Sequence, residues 1–304
     1  MREYPKKVLS IQEQIQSFLD AGLIISSQQE TKNILLSIGF YRLRGYSFQW
    51  YDKNLKKYKT NTKLSDILAL YNFDMEMSHI LSGFLSKIEI ALRVRFAEAL
   101  LQATGDSLVL LDPSQFNNKE YFWQNLSAVS SEIQRSKDIF IKHNYDNHSG
   151  IIPIWAAVEV ISFGTLSKLI SNLANKQAAS ILQQNYQYPK TKTNIINPPN
   201  RVFYSWVRAC AVLRNICAHN SRIYNRIIDI KPSILDVDKN NNKEPEKVYR
   251  IILSMKYLRP DNESWKNFVL ELKTLFHKYS GKFDFQKIGF PNDWEEHLLP
   301  DTIY

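Results

Sequence analysis

The chain has 304 residues, enough for one large or two modest domains with a real core. Its 44% hydrophobic and 23% charged content is ordinary for a soluble globular protein, and only 9 glycines argue against Gly-rich phosphate loops and many-turned all-β folds. Lysine and arginine outnumber acidic residues 39 to 30, a formal charge of +9 that favours RNA, DNA or an anionic membrane surface over the plainer reading of solubility alone.

The opening "MREYPKKVLSIQEQ" has no apolar leader core, and no apolar run approaches a membrane span. A cytoplasmic protein without a membrane partner is therefore expected. Residues 8–37 read as two helices, ending near Gly22 and Gly39. The aromatic-basic stretch that follows, "YRLRGYSFQWYDKNLKKYKT", reads as a short β-hairpin turning at Asp52-Lys53-Asn54, or as an irregular loop. From Leu64 to about Thr104 the apolar spacing predicts one long helix, with Gly83 a candidate interruption. Residues 105–118 read as a loop and 119–145 as a single helix. "IWAAVEVISFGTLSKLISNL" reads as one helix containing Gly164 or as two short ones.

A helix over Lys176–Tyr186 leads into "YPKTKTNIINPPN", read as a loop, and then into a helix from roughly Arg201 to Ile228. "DIKPSILDVDKNNNKEPEK" reads as a mobile polar surface connector. Helices near Glu246–Tyr257 and Ser264–Tyr279 close the chain. The expected fold is all-α with at most one small hairpin, divided into an amino-terminal aromatic-basic segment (1–60), a helical bundle (61–230), and a connector with carboxy-terminal helices (231–304). Cys210 and Cys217, seven residues apart, fit neither a CxxC site nor an easy disulfide and read as reduced packing residues.

Polar side chains crowd one segment, "LRNICAHNSRIYNR", Leu213 to Arg226. If the helix runs through it, then with Asn215 as origin His219 falls at about 40°, Arg222 at about −20° and Arg226 at about 20°, one narrow polar stripe. Val212, Ile216, Ile223 and Ile227 make an apolar stripe beside it. Arg214 lies about 100° off the polar stripe, able to curl back or to reach toward a second copy of the site. An imidazole moves protons near neutral pH, and a guanidinium grips phosphate and stabilises a phosphorane. Together with an Asn amide these groups suit RNA transesterification by the ribose 2′-OH. Such chemistry needs no metal, and no carboxylate cluster or His/Cys ligand set is visible, so no metal or other cofactor is expected. The plainer reading makes His219 a structural histidine among surface arginines.

"RNICAHNSRIYNR" resembles the Arg-x4–6-His signature of HEPN ribonucleases, in the form carried by Abi-type abortive-infection proteins. "LLSIGFYRLRGYSFQW" resembles the family's amino-terminal segment, "FDMEMSHILSGFLSKIEIALRVRFAEAL" its first bundle helix, and "IPIWAAVEVISFGTLSKL" its Trp-Glu-Phe-Gly segment, in the family's order over roughly residues 8–280. The resemblance implies a HEPN helical bundle, ribonuclease activity and a role as a phage-defence or toxin-type effector. It also implies a homodimer, since two such motifs usually face each other, with Arg214 and His219 as the catalytic pair and Asn215 beside them. An effector of this kind requires restraint, by a structured RNA or a protein antitoxin. Asn220 stands where many relatives carry a second histidine, which puts rate or specificity in question. The rival is a non-catalytic RNA-binding protein of the same fold.

Arg222, Arg226 and Asn220 are candidate RNA contacts, as are Arg42 and Arg44, interleaved with aromatics that can equally be core. Glu89 and Arg93, four apart, read as a surface pair. Arg95 falls on the core stripe of the long helix and needs a partner, for which Glu159, apolar on every side in sequence, is the candidate. Glu159 is expected to meet Arg95 or Arg214 beneath the site.

Overall fold

The computed structural model describes residues 7–191, 194–241 and 243–299. It is predominantly helical, with thirteen α-helices and two small antiparallel hairpins among the described residues. The chain divides into two compact units: Met1–Met77 with His277–Phe283, and Ser78–Phe276 with Asp284–Tyr304.

The first unit begins with α1 (Ile11–Asp20), whose Ser10 and Glu13 form a reciprocal capping box. α2 (Gln28–Ile38) is capped by Ser27 and ends at Gly39, whose φ of 90° no L side chain adopts easily. That glycine restarts the chain as α3 (Phe40–Ser47), so the stretch expected to be hairpin or loop is helical in its first half. The hairpin exists further on, between β1 (Tyr51–Asp52) and β2 (Lys57–Tyr58). Asp52 Oδ1 accepts the N–H groups of Asn54 and Leu55 and sets its turn. Phe18, Phe40 and Tyr58 form the core, and Tyr46 donates to buried Asp74 at 2.7 Å.

The long helix, α4 (Leu64–Thr104), is unbroken, and Gly83 lies within it. Its residues from Ser78 onward belong to the second unit. Leu81, Leu85, Ile88, Leu92, Phe96 and Ala99 are buried along one face. Two short 3-10 turns lie within 105–118. The single helix expected over 119–145 is two, α5 (Lys119–Arg135) and α6 (Ile139–Asn147). Between them Ser136 is extended and its hydroxyl donates to Asp138, a local bond that competes with helix.

α7 (Ile154–Val160) and α8 (Phe163–Ser171) are separate because Ser162 starts a new helix, accepting the Thr165 N–H. Glu132 of α5 holds this junction, accepting from the Ser162 N–H and the Thr165 hydroxyl. α9 (Lys176–Gln184) follows.

The segment read as a loop after α9 is a second hairpin, β3 (Tyr188–Thr191) with β4 (Asn194–Ile196). The Tyr188 ring lies edge-on to Trp206 and Tyr257, a tertiary anchor that local sequence does not announce.

α10 (Asn200–Ala218) packs between α8 and α11 (Val248–Leu258), burying Phe203, Val207, Cys210, Leu213 and Cys217. Both cysteines are free and buried, and burial pushes the Cys210 thiol far up. The supposed mobile connector is tied down. Asp238 is buried and accepts from Lys256 Nζ (2.8 Å) and Tyr257 Oη (2.7 Å), while Trp206 Nε1 donates to the Ser233 carbonyl. α12 (Asn262–Lys278) and α13 (Trp294–Leu298) complete the chain, Phe84 of α4 stacking on Phe268 of α12. No helix among the described residues is long and apolar enough to cross a membrane.

Candidate active site at the end of α10

The polar segment does not continue as helix to Ile228. α10 stops at Ala218, and His219 is its cap. Asn220 takes a φ of 47°, a left-handed conformation that asparagine tolerates better than other non-glycine residues. The Ser221 N–H then reaches back to the Ile216 carbonyl (3.0 Å) and the Asn220 N–H to the Cys217 carbonyl (2.9 Å), the paired bonds of a Schellman closure. The Ser78 hydroxyl of α4 adds a 3.4 Å bond to the Cys217 carbonyl. Asn225 is also left-handed, at 54°, so the chain turns again before Arg226.

The expected four-residue stripe therefore separates. Asn215 and His219 keep their helical relation, since the His219 N–H still bonds the Asn215 carbonyl at 3.1 Å. Both are exposed. Arg222 and Arg226 leave the helix, and Ile227 is exposed rather than part of an apolar stripe, whereas Ile223 is buried. Tyr224 is buried as well. Its hydroxyl donates to the Asp284 carbonyl at 3.2 Å, and burial pushes the phenol up to about 12.

Arg214 is held by a carboxylate, but not the expected one. Glu89 of α4 is 5% exposed, and its Oε2 lies 3.5 Å from Arg214 Nε. Its Oε1 accepts from Arg93, whose guanidinium also donates to the carbonyl oxygens of Glu159 and Ile161. One buried carboxylate thus ties α4 to α10, while Arg93 ties α4 to the α7–α8 junction. The reading of Glu89 and Arg93 as a surface pair is overturned: their side chains are 6% and 16% exposed.

Glu159 itself is exposed, and only its backbone takes part. On α7 Glu159 lies one turn after exposed Trp155, on the solvent face of a helix whose other side buries Ala156, Ala157 and Val158. Arg95, half-buried as its place on the stripe implied, donates to the Pro260 carbonyl at 3.1 Å and lies over the Tyr186 ring at 4.9 Å. Its charge is met by a π face and a carbonyl rather than by Glu159.

Glu89 carried a legible signal. On a helix it lies within about 40° of both Leu85 and Phe96, each fully buried, so it sits on the core face. Within the first unit, α3 buries Phe40, Leu43 and Tyr46 and exposes Arg42, Arg44 and Tyr41, so these arginines rim an aromatic core. Among the described residues no three His, Cys, Asp or Glu side chains gather as a metal site requires.

The site is thus a helical bundle with an exposed histidine at one helix end and, about one turn and a half back on the same helix, an arginine paired with a buried glutamate. The model of the Abi-like protein family matches residues 33–225, well over half of the chain and including every residue of this constellation. The chain belongs to that family. No curated protein and no solved structure matches it.

Proposed function

We propose that this protein is a HEPN-type endoribonuclease that acts as a homodimer, cleaves RNA without a metal, and serves as an abortive-infection or toxin-type anti-phage effector. The observation that carries the reading is the end of α10, which carries exposed His219 and Asn215 and, on another side of the same helix, an Arg214 paired with buried Glu89. Membership of the Abi-like protein family is in keeping with the resemblance to abortive-infection proteins that the motif segments carry.

In the reaction, the imidazole of His219 takes the proton of a ribose 2′-OH as O2′ bonds to the adjacent phosphorus. The P–O5′ bond breaks, and the leaving oxygen takes a proton from an imidazolium, which returns His219 to its neutral form and gives a 2′,3′-cyclic phosphate and a 5′-OH. Arg214 neutralises the charge that builds on the phosphorane oxygens, and Asn215 orients one of them. His219 is about 140° from Arg214 around the helix, five residues on, so one chain presents the two groups to different sides. A second copy completes the pair, its His219 facing the first copy's Arg214. Exposed Ile90 and Val94, flanking Arg93 on α4, and exposed Trp155 on α7 offer apolar area for that pairing. A structured RNA or a protein antitoxin restrains the dimer.

The test is purified protein with labelled RNA in EDTA. Cleavage with cyclic-phosphate ends, lost in Arg214→Ala and His219→Ala while RNA binding persists, supports the reading. Binding without turnover at any protein concentration replaces it with a non-catalytic RNA-binding role.

A further inference from the structure

The outer face of α10 carries a second feature that the reaction does not use. A groove of about 770 Å³ runs along it, with residues 226–231 as the opposite wall. The wall is fixed in place. The Ser233 N–H bonds Ser205 Oγ at 2.9 Å, the Ile228 N–H bonds the Glu246 carbonyl at 2.8 Å, and Arg250 Nε donates to the Pro232 carbonyl.

The rim is cationic. Arg201, Arg208 and Arg226 line it and make no ion pair among the described residues. The remaining lysine, Lys231, is paired with Glu246, and one carboxylate, Asp229, faces the groove. The floor is apolar and aromatic, with Tyr204, Val212, Ile216 and exposed Ile227.

Helix geometry aligns this groove with the reactive end. With Asn215 as origin, Arg201 falls at about 40°, Arg208 at about 20° and Tyr204 at about −20°, in file with His219 at about 40°. From Arg201 to His219 the file is about 27 Å long. At about 3.4 Å per stacked nucleotide that length takes at most about eight nucleotides.

We infer that this groove binds a single RNA strand, its phosphates on Arg201, Arg208 and Arg226 and its bases against Tyr204 and the apolar floor, and feeds that strand to His219. The choice of RNA rests on the ribonuclease reading. Unpaired guanidiniums on the rim favour a polyanion, and a floor that admits flat apolar contact suits unstacked bases better than a duplex, whose bases are turned inward.

The full-length His219→Ala chain, which does not consume its ligand, is titrated with a fluorescein-labelled ten-nucleotide oligouridylate, followed by anisotropy between 50 and 300 mM KCl. Adding Arg201→Glu and Arg208→Glu is expected to weaken binding at least tenfold, and Arg201→Gln with Arg208→Gln to lower the slope of log affinity against log salt by about 1.4, two phosphate contacts' worth. Reversing two exposed lysines outside the groove, Lys137→Glu with Lys266→Glu, is expected to cost less than threefold. Equal losses in the two reversed pairs, or an unchanged slope in the glutamine pair, overturn the inference. So does poly-L-glutamate binding at the groove where the oligonucleotide does not, which would make it an acidic-polypeptide site. Groove-dependent binding by a wild-type chain that never cleaves sinks the catalytic reading and keeps the groove. Cleavage of long RNA with unchanged KM in Arg201→Gln/Arg208→Gln does the reverse.

Discussion

Glu89→Gln is the most informative single change, because it removes one charge on which two arginines depend. At an effective dielectric of about 20, opposite unit charges about 4 Å apart attract by about 4 kcal/mol. Arg93 is 16% exposed and feels most of that attraction, whereas Arg214, 36% exposed, is screened and contributes at most about 1 kcal/mol. Removing one partner of a buried pair typically costs about 3–5 kcal/mol.

Glutamine keeps a carbonyl acceptor for Arg93, so the expected loss is about 2–3 kcal/mol, rising to about 3–5 for Glu89→Leu. Urea unfolding of the full chain measures it. The double change Glu89→Gln/Arg93→Gln should be less damaging than the sum of its parts by at least about 1 kcal/mol. At a temperature where Glu89→Gln stays folded, RNA cleavage should fall about tenfold while RNA affinity holds, since Arg214 loses its anchor but keeps its charge. Glu89→Gln within about 0.5 kcal/mol of wild type, with an unchanged cleavage rate, would refute the view that this carboxylate organises the site.

Glu159→Gln is the matched contrast: with the side chain exposed and only the backbone engaged, unfolding should move by less than about 0.5 kcal/mol. Asp238→Ala strands Lys256 and Tyr257 and should cost about 3–5 kcal/mol by thermal or urea melting; a null effect would mean that the segment is the loose connector its composition suggests. Asn220→Ala puts a Cβ-bearing residue without asparagine's tolerance into the left-handed position and should cost about 1 kcal/mol by the same measurement. Tyr186, Tyr224 and Tyr279 all have phenols pushed up to about 12, chiefly by burial. The folded state therefore holds their protons more tightly than the unfolded chain. The stabilisation is complete below about pH 10 and is lost as pH rises toward 12, so urea midpoints should drop across that window and drop less in Tyr224→Phe.

The sequence by itself determined the helical class, the extent of α4 though not its continuity through Gly83, the free buried cysteines, and the concentration of Arg214, Asn215 and His219 on one helix. Those follow from apolar periodicity and from residue chemistry, both of which are local. Where α10 ends was half legible: Asn220 and Asn225 are the residues best suited to left-handed backbone, yet the 3.6-residue pattern of Ile216, Ile223 and Ile227 argued for continuing. The structure settled it with carbonyl partners supplied by the turn and by Ser78. Which carboxylate meets Arg214 was decided by tertiary packing alone. Glu159 has the more apolar neighbours along the chain, but burial is a property of neighbours in space, and there Glu89 lies inside the bundle while Glu159 faces water. The second hairpin and the anchored Asp238 segment have the same origin. Their stabilising partners, Trp206, Lys256 and Tyr257, are distant in sequence, so local composition reads them as loop.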